Sequence, residues 1–129
     1  MKLQICLLES SCYHVKHASF PFAIRLETEA DVEIAEKIDI RSIDLINIDN
    51  RQIEFGYSRI SCGIARDTFT LTKAKPYFAL FDVFENDNDA TEFVAGHYFL
   101  EVEVIIYVVL RDGKFEIQQM KARKEVIVA

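Results

Sequence analysis

The chain has 129 residues, half of them apolar, which is enough for one domain around a real core. Fifteen Lys and Arg stand against 21 Asp and Glu, a net charge of −6 at pH 7 that repels a phosphate backbone and argues against nucleic-acid binding. Three cysteines at unrelated spacings read as reduced thiols, and no signal peptide or apolar run near the roughly 20 residues of a spanning helix is visible, so a single cytoplasmic domain over residues 1–129 without membrane contact is expected.

Leu3, Ile5 and Leu7 alternate with Lys2, Gln4 and Cys6, and Phe20, Phe22, Ile24 and Leu26 alternate with Pro21, Ala23, Arg25 and Glu27. Both segments predict half-buried strands, with the polar stretch Glu9 to Ser19 as the loop between them. Over Glu29 to Ile40 the spacing of Ala30, Ile34, Ala35 and Ile38 predicts a helix. Thr28 stands as its cap, Glu29, Asp31 and Glu33 suit its positive end, and Lys37 and Arg41 suit the other. Val32, Ile34, Ile38 and Ile40 match a strand equally well.

Ile43 to Ile48, Ile53 to Ile60, Thr68 to Lys73 and Tyr77 to Phe84 are short, rich in β-branched and aromatic residues, and divided by polar turns, which predicts further strands. Asp89 and Glu92 have capping-box spacing, and Gly96 is placed to close a single helical turn. From Tyr98 to Met120 the pattern is a β-hairpin around Asp112-Gly113, read as a two-residue type I′ loop. That loop sets Leu110 opposite Phe115 and Val108 opposite Ile117. It also sets Val102 opposite Arg123 and Val104 opposite Lys121, so the second strand is expected to leave the ladder after Met120. The tail Val126-Ile127-Val128 is expected to dock as an edge strand.

These elements predict an α+β domain, mainly an antiparallel sheet of about six to eight strands with one or two short helices. An all-β sandwich is the alternative if residues 29 to 40 are extended. One face of the first hairpin strand, Leu100 to Leu110, is uniformly apolar, and the other turns apolar at Ile105, Tyr107 and Val109. Those three are a candidate homodimer interface.

Catalytic and metal-binding patterns are wanting. Cys12, His14 and His17 lack a second ligand pair for zinc, and Cys62 with His97 carries no local signature of a thiol enzyme. Ser58 and Ser61 sit in no nucleophile elbow, and Gly56 and Gly63 make no phosphate loop. Asp87-Asn88-Asp89 opens like a calcium loop, but Ala90 replaces the turn glycine. No metal and no cofactor are therefore expected. Lys121, Arg123 and Lys124 are basic, but Glu125 follows them and no aromatic side chain is interleaved.

Asp82, Glu85, Asp87, Asp89 and Glu92 place five carboxylates within eleven residues, flanked by Phe84 and Phe93. Charge beside aromatic anchors suits an interface, and this stretch is the candidate partner-binding surface. The functional expectation is a non-enzymatic protein-interaction module that occludes a basic partner, as an inhibitor or immunity protein does towards a nuclease toxin. A homo-oligomeric assembly subunit is one rival. The other is a small enzyme or ligand-binding domain with scattered groups such as Cys62, His97 and Asp82.

Overall fold

The computed structural model describes residues 1–7, 12–13, 20–49, 51, 53–59, 67–82 and 95–128. Among them are ten strands and no helix: β1 (Lys2–Leu7), β2 (Cys12–Tyr13), β3 (Pro21–Glu27), β4 (Val32–Ala35), β5 (Asp39–Asn47), β6 (Ile53–Arg59), β7 (Thr68–Leu71), β8 (Tyr77–Asp82), β9 (Gly96–Val109) and β10 (Phe115–Val128). They form a three-stranded antiparallel sheet in the order β1-β3-β8 and a seven-stranded sheet built on β9. On one side β9 pairs with β10 along its whole length. On the other it pairs with β5 and, at Val108, with β4. The strands β4 and β5 are thus one line of chain broken by the bend at Glu36, with β7 beside β4 and β6 beside β5. The short strand β2 joins the end of β10 in parallel.

The two sheets face each other across one core. Ile5, Phe22, Ile24 and Leu26 from the three-stranded sheet meet Ile34, Ile43, Leu45, Leu100, Val102 and Ile106 from the other in a single apolar cluster, almost all fully buried. The architecture is an all-β sandwich, the alternative reading of the sequence, and the α+β expectation with helices is overturned.

The reason lies in Glu29 to Ile40. Instead of capping a helix, the Thr28 hydroxyl donates to the Ala30 carbonyl at 2.6 Å. The chain then extends, and Ile34, fully buried, pairs with Val108 on one side and Phe69 on the other. The charges that suggest a helix dipole act across strands and turns: Glu29 meets Lys73 at 3.2 Å, Glu33 accepts from Thr68 at 2.7 Å, and Arg41 lies 3.9 Å from Glu103. Backbone ladders on both sides of a short apolar segment outweigh a weak helical propensity. The predicted helical turn at Asp89 to Val94 lies outside the described residues.

The hairpin exists, but its loop has three residues. The Leu110 N–H donates to the Lys114 carbonyl at 2.8 Å, and the Gly113 N–H donates to the Leu110 carbonyl at 3.0 Å. Gly113 takes a left-handed φ of 79°, so Arg111-Asp112-Gly113 is a turn closed by a left-handed glycine. Phe115 therefore pairs with Val109, one residue away from the two-residue register. A one-residue slip exchanges the faces of every side chain in a strand. Arg123 now faces Glu101, Lys121 faces Glu103, and the core side receives Ala122 and Met120. With the conflict removed, β10 stays in the ladder to Val128. Val126 and Val128 are buried, and β10 runs between β9 and β2 there, so the tail is not the edge strand expected.

Candidate protein-interaction surface

Among the expected partner-binding residues, Asp82 is described. It ends β8, and its Oδ1 accepts the Phe20 backbone N–H at 2.9 Å, so this carboxylate also ties the entry to β3. Phe84, Glu85, Asp87, Asp89, Glu92 and Phe93 lie outside the described residues, as do Cys62, His14 and His17. His97 is exposed on β9, with its Nδ1 4.0 Å from Glu125. Among the described residues no three metal-ligating groups converge.

Ile105, Tyr107 and Val109 share the outer face of β9, where each is half-buried. They sit opposite Gln119, Ile117 and Phe115 of β10, and Ile117 is 62 % exposed. The apolar face read from the sequence is present at the hairpin tip. Tyr107 also contributes to the fold itself, because its hydroxyl donates to Asp39 Oδ2 at 2.9 Å, and Asp39 is buried. This bond and burial push the Tyr107 hydroxyl pKa above its usual 10.0.

Further along the same face the chemistry turns ionic. Glu101 is buried, with Arg123 Nη2 at 2.7 Å and Lys121 Nζ at 3.3 Å. Burial by itself would raise its carboxyl, but hydrogen bonds and positive charge from Arg123 and Lys121 outweigh it and hold the pKa below the usual 4.5. Asp44, the cross-strand neighbour on β5, is pushed up by burial and by Glu101. The Arg123 guanidinium also stacks over Phe99, 4.8 Å from the ring centre. Glu101, Arg123 and Lys121 thus match one another inside the sheet, which makes this stretch a self-satisfied surface.

The opposite sheet presents a different edge. The strand β8 pairs with β3 in an unbroken antiparallel register from Leu26 opposite Tyr77 to Pro21 opposite Asp82, and no described strand pairs with its other side. Tyr77, Ala79 and Phe81 turn towards the core, where Phe81 packs against Phe22 with ring centres 5.8 Å apart. Phe78 and Leu80 turn outward and are 56 % and 73 % exposed. Arg25 lies over the Phe78 ring at 5.7 Å and meets Glu27 at 3.2 Å. Between this edge and the Glu36 to Ile40 bend runs an open cleft of about 270 Å³.

Leu80 is not among the residues the sequence singles out, although a signal for it was present. From Tyr77 to Phe81 both the odd and the even positions are apolar, so one set must face away from the core unless the strand is covered on both sides. No known protein family and no curated relative matches the chain. The functional reading therefore rests on this geometry.

Proposed function

We propose that this chain is a protein-interaction module that docks its partner on the β8 edge and on the outward side chains Phe78 and Leu80. The observation that carries this reading is the exposure of those two side chains, 56 % and 73 %, on a strand whose outer edge no described strand occupies. An extended partner segment can add to such an edge by backbone hydrogen bonds, with side-chain contacts setting its identity. The acidic run that starts at Asp82 in the sequence favours a basic partner, since opposite charge speeds encounter and selects among partners. Occlusion of a basic cytoplasmic protein, in the manner of an inhibitor or immunity protein, is the activity that fits this combination.

The test is recovery of a defined partner on the tagged full chain from native cells, identified by mass spectrometry, with elution followed as salt is raised. Retention of one basic protein by the wild type, its release with salt, and its loss from Leu80→Lys are expected. Equal retention by Leu80→Lys removes the β8 edge from the reading.

A second reading is favoured by Ile117, 62 % exposed beside Tyr107 on the hairpin. In that reading the chain is an assembly subunit joined through the outer face of the hairpin tip. A monomeric wild type excludes it.

A further inference from the structure

A sandwich can open into its core where the two sheets end side by side. Here β1 is the last strand of the three-stranded sheet, and β10, up to Val126, is the last described strand of the other. Between them lies an open cleft of about 470 Å³, with residues 3–6 of β1 and 122–124 of β10 as its described walls. That volume falls in the roughly 300–1,000 Å³ range of small-ligand sites. The floor is apolar. Leu3 and Ile5 keep 8 % and 6 % exposure, whereas no other residue of the described core cluster keeps more than 3 %, so solvent reaches the core here.

The charge of the cleft is of one sign. In a chain of net charge −6, its described walls hold Arg123 and Lys124 and no carboxylate. The Arg123 guanidinium is committed to Glu101 and Phe99 on the outer face of the sheet. Lys124 is placed differently. It stands in the core-facing row of β10 between Ala122 and Val126, directly opposite the fully buried Leu100. Yet it is exposed, and it makes no ion pair among the described residues. A lysine in such a row lays its stem along apolar surface and keeps its ammonium in water, which leaves a free positive charge at a cleft with an apolar floor. An inward-facing lysine also defends a sheet edge. Edge defence by itself needs neither the cleft nor the exposed floor.

We infer that this cleft binds a small amphiphile of the fatty-acid class, with its carboxylate at Lys124 and its apolar tail along Leu3, Ile5 and Ala122. Both parts of such a ligand are called for. A tail takes the floor out of water, and an anionic head meets the one cation there that no carboxylate holds. A cationic head is repelled by the same lysine. The cleft lies at β1, the opposite edge of the three-stranded sheet from β8, so the inference stands apart from the docking of a protein partner on β8.

Titration of the full chain with sodium decanoate, followed by the methyl signals of Leu3 and Ile5 in carbon–proton NMR spectra, tests the site. Decanol carries a tail of the same length without charge, decyltrimethylammonium carries one with the opposite charge, and acetate is the head without the tail. Decanoate is expected to shift both residues saturably. Decanol should bind about fivefold more weakly, the upper range for one solvent-exposed ion pair, and the other two should leave both signals in place. Lys124→Gln should reduce decanoate to the level of decanol, and Lys124→Arg should restore it. Leu80→Lys, at the other edge of the sheet, should bind decanoate like the wild type. The absence of a saturable shift with decanoate overturns the inference. So does equal binding of decanol, decyltrimethylammonium or acetate, or a Lys124→Gln variant that binds like the wild type. Loss of decanoate binding in Leu80→Lys would move the ligand to the β8 face and overturn it too. Retention of a protein partner that Lys124→Gln loses would assign the cleft to a protein segment, with the same result.

Discussion

Arg123 holds Glu101 by two donors on one carboxylate oxygen, Nε at 2.9 Å and Nη2 at 2.7 Å, from the directly opposed position on the neighbouring strand. Because Glu101 is buried, this pair does more than a surface ion pair. Its partners compensate for the loss of water around the carboxylate, and removing the negative charge takes from Arg123 and Lys121, side by side on β10, the carboxylate that both of them meet.

Glu101→Gln is expected to cost about 1–3 kcal/mol near neutral pH, the range for breaking a buried charged hydrogen bond. The carboxyl is held below 4.5 in the fold, so the unfolded chain binds its proton more readily. This stabilisation is present above pH 4.5 and is lost as pH falls through the lower folded value. Urea unfolding of wild type and variant as a function of pH should show the gap closing on the acid side. A gap independent of pH would contradict the assignment.

Asp44 behaves in the opposite sense. Burial and the neighbouring Glu101 raise its carboxyl above 3.8, so the folded chain holds this proton more tightly, and the stability linked to it is lost as pH rises through the folded value. Asp44→Asn should therefore raise the unfolding midpoint at pH 7 and lose its advantage below pH 3.8. A midpoint lowered at pH 7 would show that the carboxylate is needed ionised.

Gly113 sits at φ 79°, and a Cβ placed there meets nothing within 4 Å. The effect of a side chain is then backbone strain alone. Gly113→Ala should destabilise by about 1–2 kcal/mol, and Gly113→Asn by clearly less, because asparagine tolerates the left-handed region. Thermal unfolding of the two variants checks this; both loop types need a positive φ at Gly113, and it is Asp112, whose φ is not positive here, that separates this loop from the two-residue turn.

Tyr107→Phe removes the donor to Asp39 and should cost about 1 kcal/mol. The raised Tyr107 pKa means that its contribution is complete below pH 10.0 and is lost as pH rises through the higher folded value. An absorbance titration of the phenolates should show one late-ionising group fewer in the variant.

Leu100 is fully buried between the sheets and Ile117 is 62 % exposed, although both are large aliphatics on the same hairpin. Leu100→Ala should cost about 2–5 kcal/mol through lost packing and a cavity. Ile117→Ser should stay within about 0.5 kcal/mol in the monomer. A larger, concentration-dependent loss at Ile117 would mark the hairpin face as covered.

The strands were legible where residue chemistry and periodicity agreed. Ile24 and Leu26, alternating with Ala23 and Arg25, could hardly form anything but a half-buried strand, and the β-branched run of β9 with Asp112-Gly113 announced a hairpin. The candidate site was less legible. The acidic run stood out as charge, whereas the exposure of Leu80 did not, because an apolar residue in an apolar segment carries no mark of which side the sheet leaves open.

The sequence by itself determined the strand-forming segments, the core-facing set on β9 and the acidic balance, since these depend on side-chain type and on a period of two. Only the tertiary structure decided that Glu29 to Ile40 is extended. That segment satisfies both helical and strand periods, and the ladders offered by Phe69 and Val108 settle the choice. Tertiary structure likewise decided the hairpin register, because one additional loop residue inverts the faces of β10 and joins Arg123 to Glu101. It also decided which edge no other described strand occupies, a property of how the sheets end and not of any residue within them.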